Sequence, residues 1–92
     1  MTDVAISARV TGRVQGVAYR AWTKSQAERH GLTGWVLNEH DGSVRALLMG
    51  PAPGVAGMLR LMARGPAAAR VTDIQSGKAA PDPGVSGFRI TG

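Results

Sequence analysis

The sequence predicts an α+β fold: one antiparallel sheet with two helices on one of its faces, in a single domain covering residues 1–92. Three observations predict it. Apolar residues alternate at the two ends of the chain and around Val44–Leu48. Two stretches instead repeat their apolar residues with helical spacing, and each follows a strand. An Asp41-Gly42 turn separates two further strand-like runs. A chain of 92 residues has room for one modest core and one site.

The elements follow in order. Val4, Ile6, Ala8 and Val10 alternate with Ala5, Ser7 and Arg9, a strand with one apolar face. A glycine-bearing turn, Thr11 to Gly16, comes next. From Ala18 the pattern is helical, with Tyr19, Trp22, Thr23 and Ala27 on one face, and Gly31 stands where a left-handed C-terminal cap belongs. Thr33 to Asn38 and Ser43 to Met49 form a hairpin around Asp41-Gly42, with a loop longer than two residues. Gly50-Pro51 and Pro53 stop the sheet and introduce a second helix. Its stripe, Val55, Met58, Leu59 and Met62, reads as core filling, and Gly65-Pro66 ends it. Arg70 to Ser76 is a strand, Gly77 to Gly84 a proline-bearing loop, and Phe88 and Ile90 share one face of a short last strand. The order βαββαβ with a short extra C-terminal strand is the split βαβ arrangement called ferredoxin-like. In the expected topology, the strand ending in Asn38 runs beside the first strand.

Composition removes several chemistries. Without cysteine there are no disulfides, thiol nucleophiles, zinc–thiolate sites or iron–sulfur clusters. His30 and His40 stand in no metal-ligand pattern, so no metal is expected. No apolar run is long enough to span a membrane, and Met1-Thr2-Asp3-Val4 lacks the basic and apolar regions of a signal peptide, so the expectation is a cytoplasmic protein. The net charge of +5 is spread along the chain and favours anionic partners. Aromatic residues make up only 4% and no RNP-like run occurs, which argues against an RNA-binding module on this fold.

The informative segment is Gly12-Arg13-Val14-Gln15-Gly16-Val17-Ala18-Tyr19-Arg20. Glycines let a chain curl until successive N–H groups face one concavity, which binds anions. The start of the following helix adds free N–H groups and the positive end of its dipole. Arg20, in the first turn, offers a planar fork that fits two phosphate oxygens. The nucleotide-binding pattern G-x-x-x-x-G-K-[ST] is absent. Asn38, at the end of its strand, could hold a water with its amide. Taken alone, the loop also reads as a plain glycine turn with a surface arginine, and Asn38 as a turn former before Asp41-Gly42.

At these residues the chain resembles the acylphosphatase family. Gly12 to Arg20 is similar to that family's signature G-x-V-Q-G-V-x-[FY]-R. Gly31 to Val44 is similar to its second signature, G-[LF]-x-G-x-V-x-N-x-x-D-G-x-V. The similarity continues through Gly50-Pro51, Gly65-Pro66, Ala69-Arg70-Val71 and Phe88-x-Ile90. Leu37 and Arg45 depart from it, standing where basic and acidic residues are common, with surface charge as the expected consequence.

The resemblance implies the ferredoxin-like fold and hydrolysis of acyl phosphates to carboxylate and inorganic phosphate, without metal or organic cofactor. It implies that Gln15, Gly16, Val17, Ala18, Tyr19 and Arg20 cradle the phosphate, that Arg20 grips it, and that Asn38 positions the attacking water. The partners are then a small acyl phosphate and its products, with no nucleic acid or membrane, and the chain is expected to be a monomer. The alternative is an accessory domain that binds phosphate or carbamoyl phosphate without turning it over; intact Arg20 and Asn38 speak against it. Trp22, two residues after Arg20, reads either as a residue at the mouth of the site or as packing on the sheet, and Trp35 as packing.

Overall fold

A computed structural model describes residues 3–92, so Met1 and Thr2 of the N-terminal segment lie outside the described residues. The elements are β1 (Asp3–Arg13), α1 (Tyr19–Arg29), β2 (Thr33–Asn38), β3 (Val44–Pro51), α2 (Ala52–Arg64), β4 (Arg70–Lys78) and β5 (Phe88–Ile90). Their sheet order is β4-β1-β3-β2-β5, antiparallel throughout except that β5 lies parallel to β2. This is the expected ferredoxin-like sandwich with its appended strand. Among the described residues no helix is long and apolar enough to cross a membrane.

One face of the sheet makes the core. Ala8 and Val10 stand opposite Ala46 and Val44, and Val36 opposite Ala46. These residues meet Tyr19 and Ala27 of α1 and Val55, Met58 and Met62 of α2, all buried. The strand period of two and the helix period of 3.6 therefore bring their apolar faces to a common interior. The methionine stripe is core, as its spacing indicated.

Helix ends explain where the chain turns. At the end of α1 the Leu32 N–H donates to the Ala27 carbonyl and the Gly31 N–H to the Glu28 carbonyl, each at 3.0 Å. Gly31 has φ 68°, so this is the paired-bond glycine cap that the sequence position indicated. At the end of α2 the Gly65 N–H reaches the Leu61 carbonyl at 2.8 Å, but the next residue, Pro66, has no N–H to give to Met62. The Tyr19 hydroxyl supplies that bond, donating to the Met62 carbonyl at 2.7 Å and tying α1 to α2. Burial holds this phenol protonated, with its pKa well above the usual tyrosine value.

Three boundaries differ from the sequence reading. β1 continues through Thr11-Gly12-Arg13 because an irregularity between Thr11 and Gly12 lets pairing resume with Val71 and Arg70. β3 continues through Gly50 and Pro51, which pair with Val4 and Asp3; at the last position of a strand proline's missing N–H removes little from the ladder. β4 includes Gly77 and Lys78, which pair with Ser7 and Ile6.

The topology also corrects an expectation. β2 does not run beside β1; β3 lies between them. A hairpin partner has to pair with the strand before it, so β3 occupies the place next to β2, and the crossover through α1 spans it. Val10, Val44 and Asn38 form one row across the three strands. Asn38 therefore ends β2 level with Val10, three residues before the end of β1 and one strand further away than expected.

Candidate active site

The segment between β1 and α1 is fixed at both ends. Val14 and Tyr19 are buried in the core; between them Gly16 and Ala18 are exposed, while Val17 packs against the core. Gly16 has φ 75° and Ala18 φ 61°. A side chain at Gly16 would meet nothing, so its glycine is demanded by conformation and not by space. Ala18 is the one non-glycine residue with positive φ among the described residues. That conformation costs a residue with a Cβ roughly 1–2 kcal/mol, and such strain is typically held at functional sites.

Ala18 is also the N-cap of α1, and no side chain caps the helix there. The first turn contains no acidic residue. Serine or aspartate normally satisfies the leading N–H groups of a helix. Here no side chain satisfies those groups, and the positive helix end lies beside the curled loop, the arrangement that receives an anion. Arg20 follows in the first turn, half-buried, and its guanidinium forms no salt bridge among the described residues. Val14, Ala18, Tyr19, Arg20, Ala21 and Ile90 enclose a hollow of about 150 Å³.

The β2–β3 turn is joined to this loop by Gln15. Its Nε2 donates to the carbonyls of Glu39 and Ser43, both at 2.8 Å. The residue after Asn38 is thus bonded directly to the loop, and this contact, not strand adjacency, brings the two signatures together. Gln15's side chain is engaged with the hairpin, leaving its backbone for any phosphate contact. Asn38 lies on the helix side of the sheet, in the row of Val44. Its Oδ1 is buried and accepts no hydrogen bond from the protein. Thr23 Oγ1 in the core is likewise buried without a partner, and nothing in the structure explains it.

The turn itself is braced. Asp41 accepts hydrogen bonds from the Ser43 hydroxyl at 2.6 Å and the Ser43 N–H at 2.9 Å, and Arg9 Nη2 reaches its other oxygen at 2.6 Å. The bonds from Ser43, then the Arg9 guanidinium, hold the Asp41 carboxyl well below the usual carboxylate range. Arg9 stands directly opposite Arg45 on the open sheet face, a like-charge pairing that Asp41 offsets.

Other residues fall into place around the site. Trp22 packs on Tyr19, ring centroids 5.5 Å apart, and does not line the hollow beside Arg20. Trp35 stands opposite Leu47 on the open face, half-buried. His30 Nδ1 lies 2.8 Å from the Gln26 carbonyl oxygen. Among the described residues no three His, Asp or Glu side chains come together as metal ligands. A larger hollow, about 330 Å³, lies at the far end of β1 among Asp3, Met49, Pro51, Pro81 and Val85; it contains neither Arg20 nor Asn38, and the smaller hollow contains Arg20 but not Asn38. Sequence reasoning did not single out Ile90 for the site, or Arg9 and the Gln15 side chain for the turn. Alternation placed Ile90 with Phe88, but Phe88 is buried while Ile90 is 43% exposed at the hollow.

Comparison with known proteins places the chain in a family. The acylphosphatase family model matches residues 6–90. An acylphosphatase of Rhizobium meliloti is 53% identical over 83 residues, 90% of this chain and 87% of that one. The crystal structure of an acylphosphatase from Bacillus subtilis superposes with a TM-score of 0.90 at 32% identity, covering 96% of this chain and 98% of that one. An acylphosphatase from Coxiella burnetii gives 0.91 at 29%, covering 97% and 93%. Fold, both signatures and the family match thus converge, and the chain belongs to the acylphosphatase family.

Proposed function

We propose that this protein hydrolyses the carboxyl–phosphate anhydride of small acyl phosphates, releasing a carboxylate and inorganic phosphate. The observation that carries the reading is the Gln15 bridge, which joins a curled, uncapped helix entry bearing Arg20 to the turn bearing Asn38. The backbone of residues 15–20 and the Arg20 fork take the phosphate oxygens. Asn38 Oδ1, buried and without a protein donor, accepts a hydrogen bond from the attacking water.

The chemistry needs little more. The water oxygen bonds to phosphorus as the bond from phosphorus to the acyl oxygen breaks, and the carboxylate leaves with that electron pair. The carboxylate is a good leaving group and needs no general acid. In a loose transition state bond breaking leads, so no strong enzyme base is required, and the water's proton passes to a phosphate oxygen. What remains for the protein is orientation by Asn38 and stabilisation of charge by Arg20 and the loop N–H groups. Without cysteine the chain has no thiol to serve as a nucleophile.

The reading takes small anions, and not nucleic acid, as the partners of a cytoplasmic monomer. Against nucleic acid, Trp35 is the one aromatic residue on the open sheet face; Tyr19, Trp22 and Phe88 lie on the helix side.

The test is hydrolysis of benzoyl phosphate by the purified chain in EDTA, with Arg20→Lys and Arg20→Ala beside it. Wild type should release benzoate and phosphate in equal amounts. Lysine keeps the charge but loses the two-pronged geometry, so both variants should lose on the order of 10²–10³ in kcat/KM. Absence of turnover in the wild type, or a lysine variant close to wild type, would contradict the reading.

A further inference from the structure

The phosphate end of the substrate accounts for Arg20 and the loop, but not for what borders them. Beside Arg20 the exposed side chains that line the same hollow are apolar: Ala18 and Ala21 are exposed, and Ile90 is the large hydrophobic side chain left exposed among the described residues, at 43%. A single exposed isoleucine is unremarkable on a protein surface. This one is held in a fixed place beside the site. β5 pairs in parallel with β2 so that Ile90 stands opposite Val36, two residues before Asn38. The Thr91 N–H donates to the Val36 carbonyl at 2.9 Å and fixes the register just past it. Ile90 therefore shares the helix-side face with Val36 and Asn38, where α1 begins. No charged side chain other than Arg20 lines the hollow.

We propose that Ile90, with Ala18 and Ala21, forms an acyl subsite that makes the enzyme selective for apolar acyl groups, aromatic or branched aliphatic, over small or charged ones. The inference rests on the acyl phosphate reading given above and adds the class of acyl group. With the phosphate seated against Arg20 and the loop, the rest of the substrate must leave the hollow along its remaining wall. The side chains of that wall withdraw apolar surface from water when an apolar acyl group lies on them, and none of them offers a hydrogen bond to a carboxylate or carbamoyl group. Ile90 is in this account a specificity residue, whereas Arg20 and Asn38 act on the reacting atoms.

The experiment compares kcat/KM for benzoyl and acetyl phosphate in wild type and Ile90→Thr, which keeps the β-branch suited to a strand. Taking the ratio of the two substrates in each protein cancels their different intrinsic reactivities. The benzoyl-to-acetyl ratio should fall about tenfold in the variant, the lower end for an apolar pocket contact because Ile90 is half exposed. The inhibition constant of inorganic phosphate should stay within about twofold, since the phosphate contacts are elsewhere. Ile90→Val should shift the ratio the same way by about twofold, and a thermal melt establishes that both variants fold. An unchanged ratio overturns the subsite, whether activity falls equally on both substrates or on neither. A wild type that hydrolyses neither substrate overturns the function itself, a distinct outcome.

Discussion

At the scale of single residues, Tyr19 shows how one side chain serves both fold and site. Its ring is buried in the core at the end of the loop proposed to bind phosphate, and its hydroxyl replaces the N–H that Pro66 cannot supply to Met62. Tyr19→Phe keeps the ring and leaves that carbonyl unpaired in a buried place. Stability by urea unfolding should fall about 1–2 kcal/mol, while kcat/KM changes less than about threefold, because the hydroxyl points to α2 and away from the substrate. A variant as stable as wild type would show that the bond contributes nothing; a large loss of activity would place the hydroxyl in the reaction. The signature admits phenylalanine or tyrosine at this position, which sequence alone treats as equivalent. The partner that distinguishes them lies on another helix, 43 residues away.

Among elements, the β2–β3 turn is the part that has to be held, since it carries Asn38 at its entrance. Arg9 and Ser43 brace it through Asp41, and Gln15 ties it to the phosphate loop. Because its folded pKa is lowered, the stabilisation that Asp41 contributes is complete above about pH 4, the ordinary aspartate value, and is lost as pH falls further toward the folded pKa. Gln15→Leu fills similar space but removes both bonds to the turn. Steady-state kinetics should show kcat lower by roughly 10- to 100-fold, the size expected when a reacting group shifts by a fraction of an ångström to an ångström, with the protein still folded by circular dichroism. Wild-type kcat in this variant would mean that the turn holds its place without the clip. Element types and order were legible in the sequence because hydrophobic period and glycine–proline punctuation are local signals. The ends of β1, β3 and β4 were not, because pairing with Val71, Asp3 and Ile6 carried the strands past residues that locally read as turns. The placement of β2 beside β1 failed for the same reason: strand order is decided by which partner is available, and the hairpin claimed it.

In the whole molecule the proposed site is where two distant stretches of chain meet, the loop after the first strand and the turn after the second. Neither is chemically complete alone, which is why each, read by itself, was also consistent with ordinary turn chemistry. The paired signatures singled out the candidate residues; the fold supplies the Gln15 bridge, the uncapped helix entry and the exposed Ile90, none of which local patterning reveals. The account's central claim is a division of labour, with Arg20 and the loop binding phosphate and Asn38 orienting water. The most direct measurement is the kcat and KM of Asn38→Ala with benzoyl phosphate. Loss of one oriented polar group should lower kcat on the order of 10²–10³-fold while KM changes little, because the water matters to the transition state and not to holding the substrate. A variant with normal kcat and a raised KM would contradict the account and make Asn38 a substrate-binding residue.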